Sequence, residues 1–196
     1  MAGTDSNKVY LFGPDQSTTT GAVLKAAIGA TAPTDARTAL GSGWSSAAGY
    51  ISENGITLNI NRSNTDIKDW GLNKVRVATT DFGTNITGEF LQMDEDTAET
   101  LFGEGAVTVT AATSTKPATL KLSVGPEMAD PQAFCFNMKD GDQRVRLCLP
   151  NAQATLGGEL VFRANEAIAW SVSLDCGAGS DGKCIHFLYD DGQVSA

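Results

Sequence analysis

Residues 49–70 read GYISENGITLNINRSNTDIKDW. Ile56, Leu58 and Ile60 alternate with Thr57, Asn59 and Asn61, which is the period of two of a half-buried strand. The polar positions carry amides and a hydroxyl rather than a mixture of Lys and Glu. Such a face suits a wetted wall better than an ordinary solvent face. Ser63-Asn64-Thr65-Asp66 then breaks the alternation. Ile67-Lys68-Asp69-Trp70 sets large apolar groups on a polar excursion, where an isolated domain gains little from them.

Strand patterns dominate on both sides of this stretch. Val75, Val77 and Thr79 alternate with Lys74, Arg76 and Ala78, and Ile86, Gly88 and Phe90 with Thr87, Glu89 and Leu91. The best helix covers residues 94–103. Asp94 caps it, acids crowd its first turn, Ala98, Leu101 and Phe102 form the apolar stripe, and Gly103 ends it. Further strands carry Val107 and Val109, then Leu120, Leu122 and Val124, then Leu160 and Phe162, then Ile168, Trp170, Val172 and Leu174, and finally Ile185, Phe187 and Tyr189. The clearest hairpin is 134–149, around a loop of Asp140-Gly141-Asp142-Gln143. With Lys139 opposite Arg144, the pairs Met138/Val145, Phe136/Leu147 and Phe134/Leu149 share one apolar face. Asn137/Arg146 and Cys135/Cys148 then share the other. Many short strands with one helix predict a mainly β, sandwich or barrel-like domain.

The N-terminal quarter differs. Residues 8–12 read as one short strand ended by Gly13-Pro14, and residues 17–32 are mostly Thr, Gly and Ala. Pro33-Thr34-Asp35-Ala36 reads as a turn opening one helical turn over 37–40. Such composition is that of a tail unless something packs on it.

At 196 residues the chain is one domain, or one domain with an arm. Its net charge of −9 argues against a free DNA-binding protein, which needs cations for phosphates. The same charge is compatible with a wall that repels a passing polyanion, and equally with plain solubility. No secretory signal is read at the N-terminus. No apolar run approaches the ~20 residues of a membrane helix, and no membrane binding is expected.

Catalytic and ligand patterns are weak. Cys135, Cys148, Cys176 and Cys184 form no CxxC pair, so a zinc site lacks support. In the hairpin register Cys135 and Cys148 are neighbours, and Cys176 and Cys184 flank a Gly/Ser loop, so two disulfides are geometrically conceivable. Four thiols in a reducing cytosol is the preferred reading. His186 is the single histidine. It lies in an apolar strand with no nucleophile elbow nearby, which favours a structural role. Asp140/Asp142 and Asp190/Asp191 are read as turn acids rather than calcium ligands. No catalytic residue, metal or cofactor is expected.

The stretch 49–70 resembles the major tail tube proteins of long, non-contractile-tailed (siphovirus-type) phages, especially those of actinobacterial hosts. In that family a Gly-Tyr-[Ile/Val]-Ser-Glu-[Asp/Asn]-Gly opening leads into a strand. A segment like 65–70 follows, and then a Val/Arg/Thr-rich strand like 74–80. The resemblance extends to the 33–36 turn, to residues 138–146, to Pro150-Asn151-Ala152-Gln153 and to the closing strands. It implies two packed antiparallel sheets with one flanking helix (residues 49–196) and an extended N-terminal arm (1–48) that packs on neighbouring subunits. It implies hexameric rings stacked into a hollow tube in the virion tail, built in the host cytoplasm. The tube surrounds a tape-measure protein, meets tail terminator and distal tail or baseplate proteins, and passes genomic DNA without binding it specifically. No reaction is implied. Within this sequence the loop 62–73, with Arg62, Asp66, Ile67, Lys68, Trp70 and Asn73, is the expected contact between subunits or rings, Ile67 and Trp70 being the anchors. Trp70 folded back on its own domain is the competing reading. Thr57, Asn59, Asn61, Thr87 and Glu89 are the lumen candidates. The alternative function is a surface-displayed β-sandwich decoration or binding module of a phage particle, and a third, an enzyme using Cys184 and His186, has least support.

Overall fold

The computed structural model describes residues 9–15 and 21–193. The central hairpin is β8 (Gln132–Asp140) with β9 (Gln143–Leu156), in the register that the apolar alternation predicts: Lys139 with Arg144, Met138 with Val145, Phe136 with Leu147, Phe134 with Leu149. The turn is tighter than the four residues expected. Asp140 pairs with Gln143, and Gly141 adopts φ 57°, the left-handed conformation a two-residue hairpin loop requires.

Between the pairs Phe134/Leu149 and Gln132/Ala152 the ladder shifts register. β8 advances two residues there and β9 three, so Pro150-Asn151 hold an extra residue. A proline has no N–H for a ladder, and a bulge is where a strand tolerates it. The bulge reverses which side chains point inward: Leu147 and Leu149 before it, Ala152 and Ala154 after it.

Around this hairpin runs one antiparallel sheet of nine strands, in the order β3 (Ser45–Ala48), β2 (Val23–Ala26), β8, β9, β10 (Trp170–Cys176), β5 (Lys74–Phe90) and β4 (Ile51–Lys68). β1 (Gly13–Pro14) adds to β8, and β11 (His186–Asp190) adds to β9. β6 (Val107–Thr110) and β7 (Thr119–Leu122) form a separate two-stranded sheet. The two expected sheets are thus very unequal. One face of the large sheet carries the core: Val23, Ile86, Phe134, Phe136, Leu147, Leu149, Val172 and Leu174, joined by Leu101 of α1 (Glu95–Phe102). Each such side chain contributes about 1.5–3 kcal/mol by leaving water. At the helix N-terminus Asp94 accepts a hydrogen bond from the Thr97 amide at 2.9 Å, and Gly103, at φ 84°, ends the helix. Burial pushes the Asp94 carboxyl up, but the hydrogen bonds from Thr97 and Gln92 outweigh this and hold it below the usual range.

Several expectations need correction. The strand read over residues 8–12 is absent at 9–12, and Lys8 lies outside the described residues. Tyr10 and Phe12 stack at 5.3 Å and pack on Tyr189 instead, while the ladder begins at Gly13. No helical turn forms over 37–40. The carbonyls of Asp35 and Thr38, which a helix would use, accept hydrogen bonds from Arg146 Nη1 at 2.9 and 3.0 Å. Leu160 and Phe162 are on no strand: β10 pairs directly with both β9 and β5, so no ladder edge is left between them. The N-terminal segment is not purely an arm. β2 and β3 belong to the sheet, and Val23, Ala47 and Ala48 are core residues. Cys135 and Cys148, both buried, are joined in a disulfide, against the preferred reading of four thiols, whereas Cys176 and Cys184 are free.

Candidate assembly surfaces

Three features of the exterior could join copies of the chain, and the first is a ribbon. The ladder between β4 and β5 does not stop at the edge of the body. It continues from Asn61/Gly83 to Lys68/Lys74. The expected loop 62–73 is therefore mostly strand: Arg62, Asp66, Ile67 and Lys68 lie in β4, and only Trp70 and Asn73 are in the turn. Backbone pairing overrides the missing hydrophobic alternation here, because each strand satisfies the other's polar groups without needing a core. The break in the pattern at Ser63-Asn64 coincides with a register shift between those residues.

Eight residues of strand carry the tip roughly 25 Å beyond the body at about 3.3 Å per residue. Lys74 pairs with Asp66 at 2.7 Å, and the Arg62 guanidinium sits 5.4 Å from the Phe82 ring centre. The tip is closed by Asp69. Its amide donates to the Asn73 carbonyl at 2.9 Å, and its carboxylate accepts from the Asn73 amide at 2.8 Å. Leu72, at φ 64°, is the one non-glycine residue with positive φ among the described residues. Trp70 is 103% exposed and does not fold back on its own domain.

The second feature is a polar wall. Thr57 pairs with Thr87, Asn59 with Asn85 and Asn61 with Gly83. Glu89 pairs with Ser171 and Thr87 with Ser173, and Ser173 in turn with Thr155. The five lumen candidates therefore share one face of the sheet, opposite Leu58, Ile86 and Leu174. That face continues through Asn85, Ser171, Ser173, Asp175, Gln153 and Thr155, which the sequence reading did not single out. Their signal was present: Ser171, Ser173 and Asp175 alternate with the core residues Val172 and Leu174. Across these strands the face carries Glu89 and Asp175 and no Lys or Arg. Lys74 and Arg76 belong to the ribbon instead.

The third feature is the N-terminal segment 27–44, which lies across the outer face of β8, β9 and β11. Arg146, only 4% exposed, ties it down by donating to Asn137 Oδ1 at 2.7 Å as well as to the two carbonyls. Arg37 forms an ion pair with Asp190 and donates to the Asp142 carbonyl at 2.7 Å. The hydrogen bond from Arg37 holds the Asp190 carboxyl below its usual range, and the Thr38 amide does the same for Asp35. Between this segment and the body is a cavity of about 500 Å³, with Ala30, Ala32, Ala133 and Trp44 in its walls and Asp181 and His186 at its rim.

Chemistry is poorly served by this exterior. His186 Nε2 lies 3.2 Å from Asp181 Oδ2, and burial pushes the Cys176 thiol up to about 11, which suppresses its thiolate. No cluster of three or more His, Cys, Asp or Glu side chains that could hold a metal occurs among the described residues. The exterior thus combines one large sheet, a projecting ribbon and a long polar face. The phage tail tube protein family matches residues 16–196, and the chain belongs to it. It is a structural component of the tail tube and resides in the virion tail. No curated protein matches the chain.

Proposed function

We propose that this chain polymerises as stacked hexameric rings into the tail tube of a siphovirus-type phage of an actinobacterial host. The tube surrounds the tape-measure protein during assembly in the host cytoplasm, ends on terminator and distal tail or baseplate proteins, and later conducts genomic DNA. The β4–β5 ribbon joins copies. The wall of Thr57, Asn59, Asn61, Thr87 and Glu89 lines the lumen, and residues 27–44 serve as the part of the arm that meets a neighbouring subunit.

The observation that carries this reading is the ribbon. A two-stranded ribbon extending roughly 25 Å from its body has no core of its own, and an isolated hairpin is marginally stable in water. Trp70, Leu72, Val75 and Ile67 are all exposed on it. Those apolar groups gain free energy only when a second surface covers them, and exposed tryptophans are typical anchors of protein interfaces. A head-to-tail contact of this kind joins different parts of the chain, so it closes into a ring or continues into a filament according to the rotation between copies, and a stacked tube uses both.

Trp70→Ala tests the reading. The monomer is expected to remain folded by circular dichroism, since Trp70 packs on nothing. Tube growth, followed by sedimentation velocity and negative-stain images, is expected to fall at least tenfold. Tubes of normal length at normal concentration would remove the ribbon from assembly.

A further inference from the structure

We infer that the cavity between residues 28–34 and the outer face of β9 is the socket for the Trp70–Leu72 tip of a second copy. This rests on the reading of the ribbon as the joining element and names the place where it ends.

Socket and tip match in shape. The socket holds about 500 Å³ between larger groups such as Trp44 and Leu188, and the small residues Ala30, Ala32, Ala133, Ala178 and Gly179 in its walls keep that space open. Cavities of roughly 300–1,000 Å³ take up compact organic groups, and an indole with one isobutyl group is such an object. Trp44 and Ile28 add apolar surface, and Ile28 is 54% exposed with nothing over it. At the tip the opposite holds: two large side chains stand out from a turn pinned by Asp69.

Tip and socket also differ in charge. Lys68 and Arg76 flank the tip and make no ion pair among the described residues; Asp66 is paired with Lys74, so with Asp69 counted the tip keeps a net positive charge. The socket's lining offers the Asp181 carboxylate, about half exposed and 3.2 Å from His186 Nε2, and holds no Lys or Arg. The competing apolar site lies at the ribbon's own root, around Ile60, Phe82 and Phe187. It is a groove of bulky side chains that also presents Arg62 and Lys183, so it repels a cationic tip.

The ladder that carries Trp70 points it away from its own body, as its full exposure shows. The tip therefore does not fill the socket of its own chain, and the contact joins two copies through different parts of each.

The test places the photo-crosslinker p-benzoylphenylalanine at position 70 in the full chain, which keeps an aromatic group at the tip. Isotope-labelled and unlabelled copies are mixed before tubes assemble, and crosslinked peptides are mapped by mass spectrometry. Crosslinks between copies to residues 28–34 or 178–181 are expected. Crosslinks between copies that fall instead near Ile60, Phe82 or Phe187 would overturn the socket while leaving the ribbon's role intact. Crosslinks within one copy only, or none, would overturn both. As a second variant, Ala32→Trp fills the socket. It is expected to keep the folded signal and to reduce tube assembly at least tenfold, and undiminished assembly would also sink the proposal.

Discussion

Arg146 shows what one residue does in this protein. Its place opposite Asn137 is legible from the 134–149 alternation, which reads it as a polar pair on the outer face. Its partners from the N-terminal segment are not, because they lie more than 100 residues away and are backbone carbonyls. Burial pulls its value down, opposed by the charge of Asp35, and the guanidinium keeps its charge by making three hydrogen bonds. Arg146→Ala leaves the Asn137 side chain and two carbonyls without a donor. The expected loss is about 3 kcal/mol of unfolding free energy in urea. A loss within 0.5 kcal/mol would mean that water replaces the guanidinium at no cost.

At the scale of elements, the segment 27–44 is held by groups that titrate. Asp190 and Asp35 have carboxyls below their ordinary value of 3.8, through Arg37 in one case and the Thr38 amide in the other. A depressed carboxylate stabilises the docked segment above the unfolded value, and that stabilisation is lost as pH falls below 3.8 through the folded value. Both groups are exposed, so solvent screens the effect. The expectation is that amide protection in residues 28–40, taken against the intrinsic exchange rate at each pH, falls between pH 4 and pH 2 before protection in β8 and β9 does. A simultaneous fall in all three would show that the segment unfolds only with the whole sheet. The ribbon teaches a second lesson at this scale. Side-chain alternation marks its strands up to Asn61 and from Lys74. The residues between look like a loop in the sequence because periodicity reports burial, and a ribbon in solvent buries neither face. The helix, by contrast, was legible to within a residue, since Asp94 and Gly103 signal its ends locally.

For the whole molecule, the distribution of charge bears on conduction. The −9 net charge is spread along the chain, but the polar wall holds Glu89 and Asp175 and no cation. If this wall lines the lumen, a Glu89→Lys tube presents a ring of cations to the passing phosphates. DNA ejection from such particles is expected to slow at least severalfold at low salt and to recover as added salt screens the attraction. Ejection at the native rate would move the wall to the outside of the tube. Assembly is expected to be unaffected, since Glu89 lies away from the ribbon tip, so a failure to form tubes would also count against the placement.

Sequence alone determined what depends on neighbours along the chain: the mainly β class, the helix and its caps, the 134–149 register, and the polar faces of the strands at 57–61 and 87–89. Each follows from side-chain alternation or from capping chemistry that acts within a few residues. The family was recognisable from an ordered set of short motifs. Tertiary structure decided what depends on contacts between distant segments. It drew residues 23–26 and 45–48 into the sheet, where β8 offered a free edge. It brought Cys135 and Cys148 into a bond and left Cys176 and Cys184 apart. It united Ser171, Ser173 and Asp175 with the residues of β4 and β5 in one wall. It extended the ribbon and left Trp70 bare at its end. The physical reason is the same in each case: an edge, a ladder or a cavity belongs to two segments at once, and no local pattern of side chains records where the other segment lies.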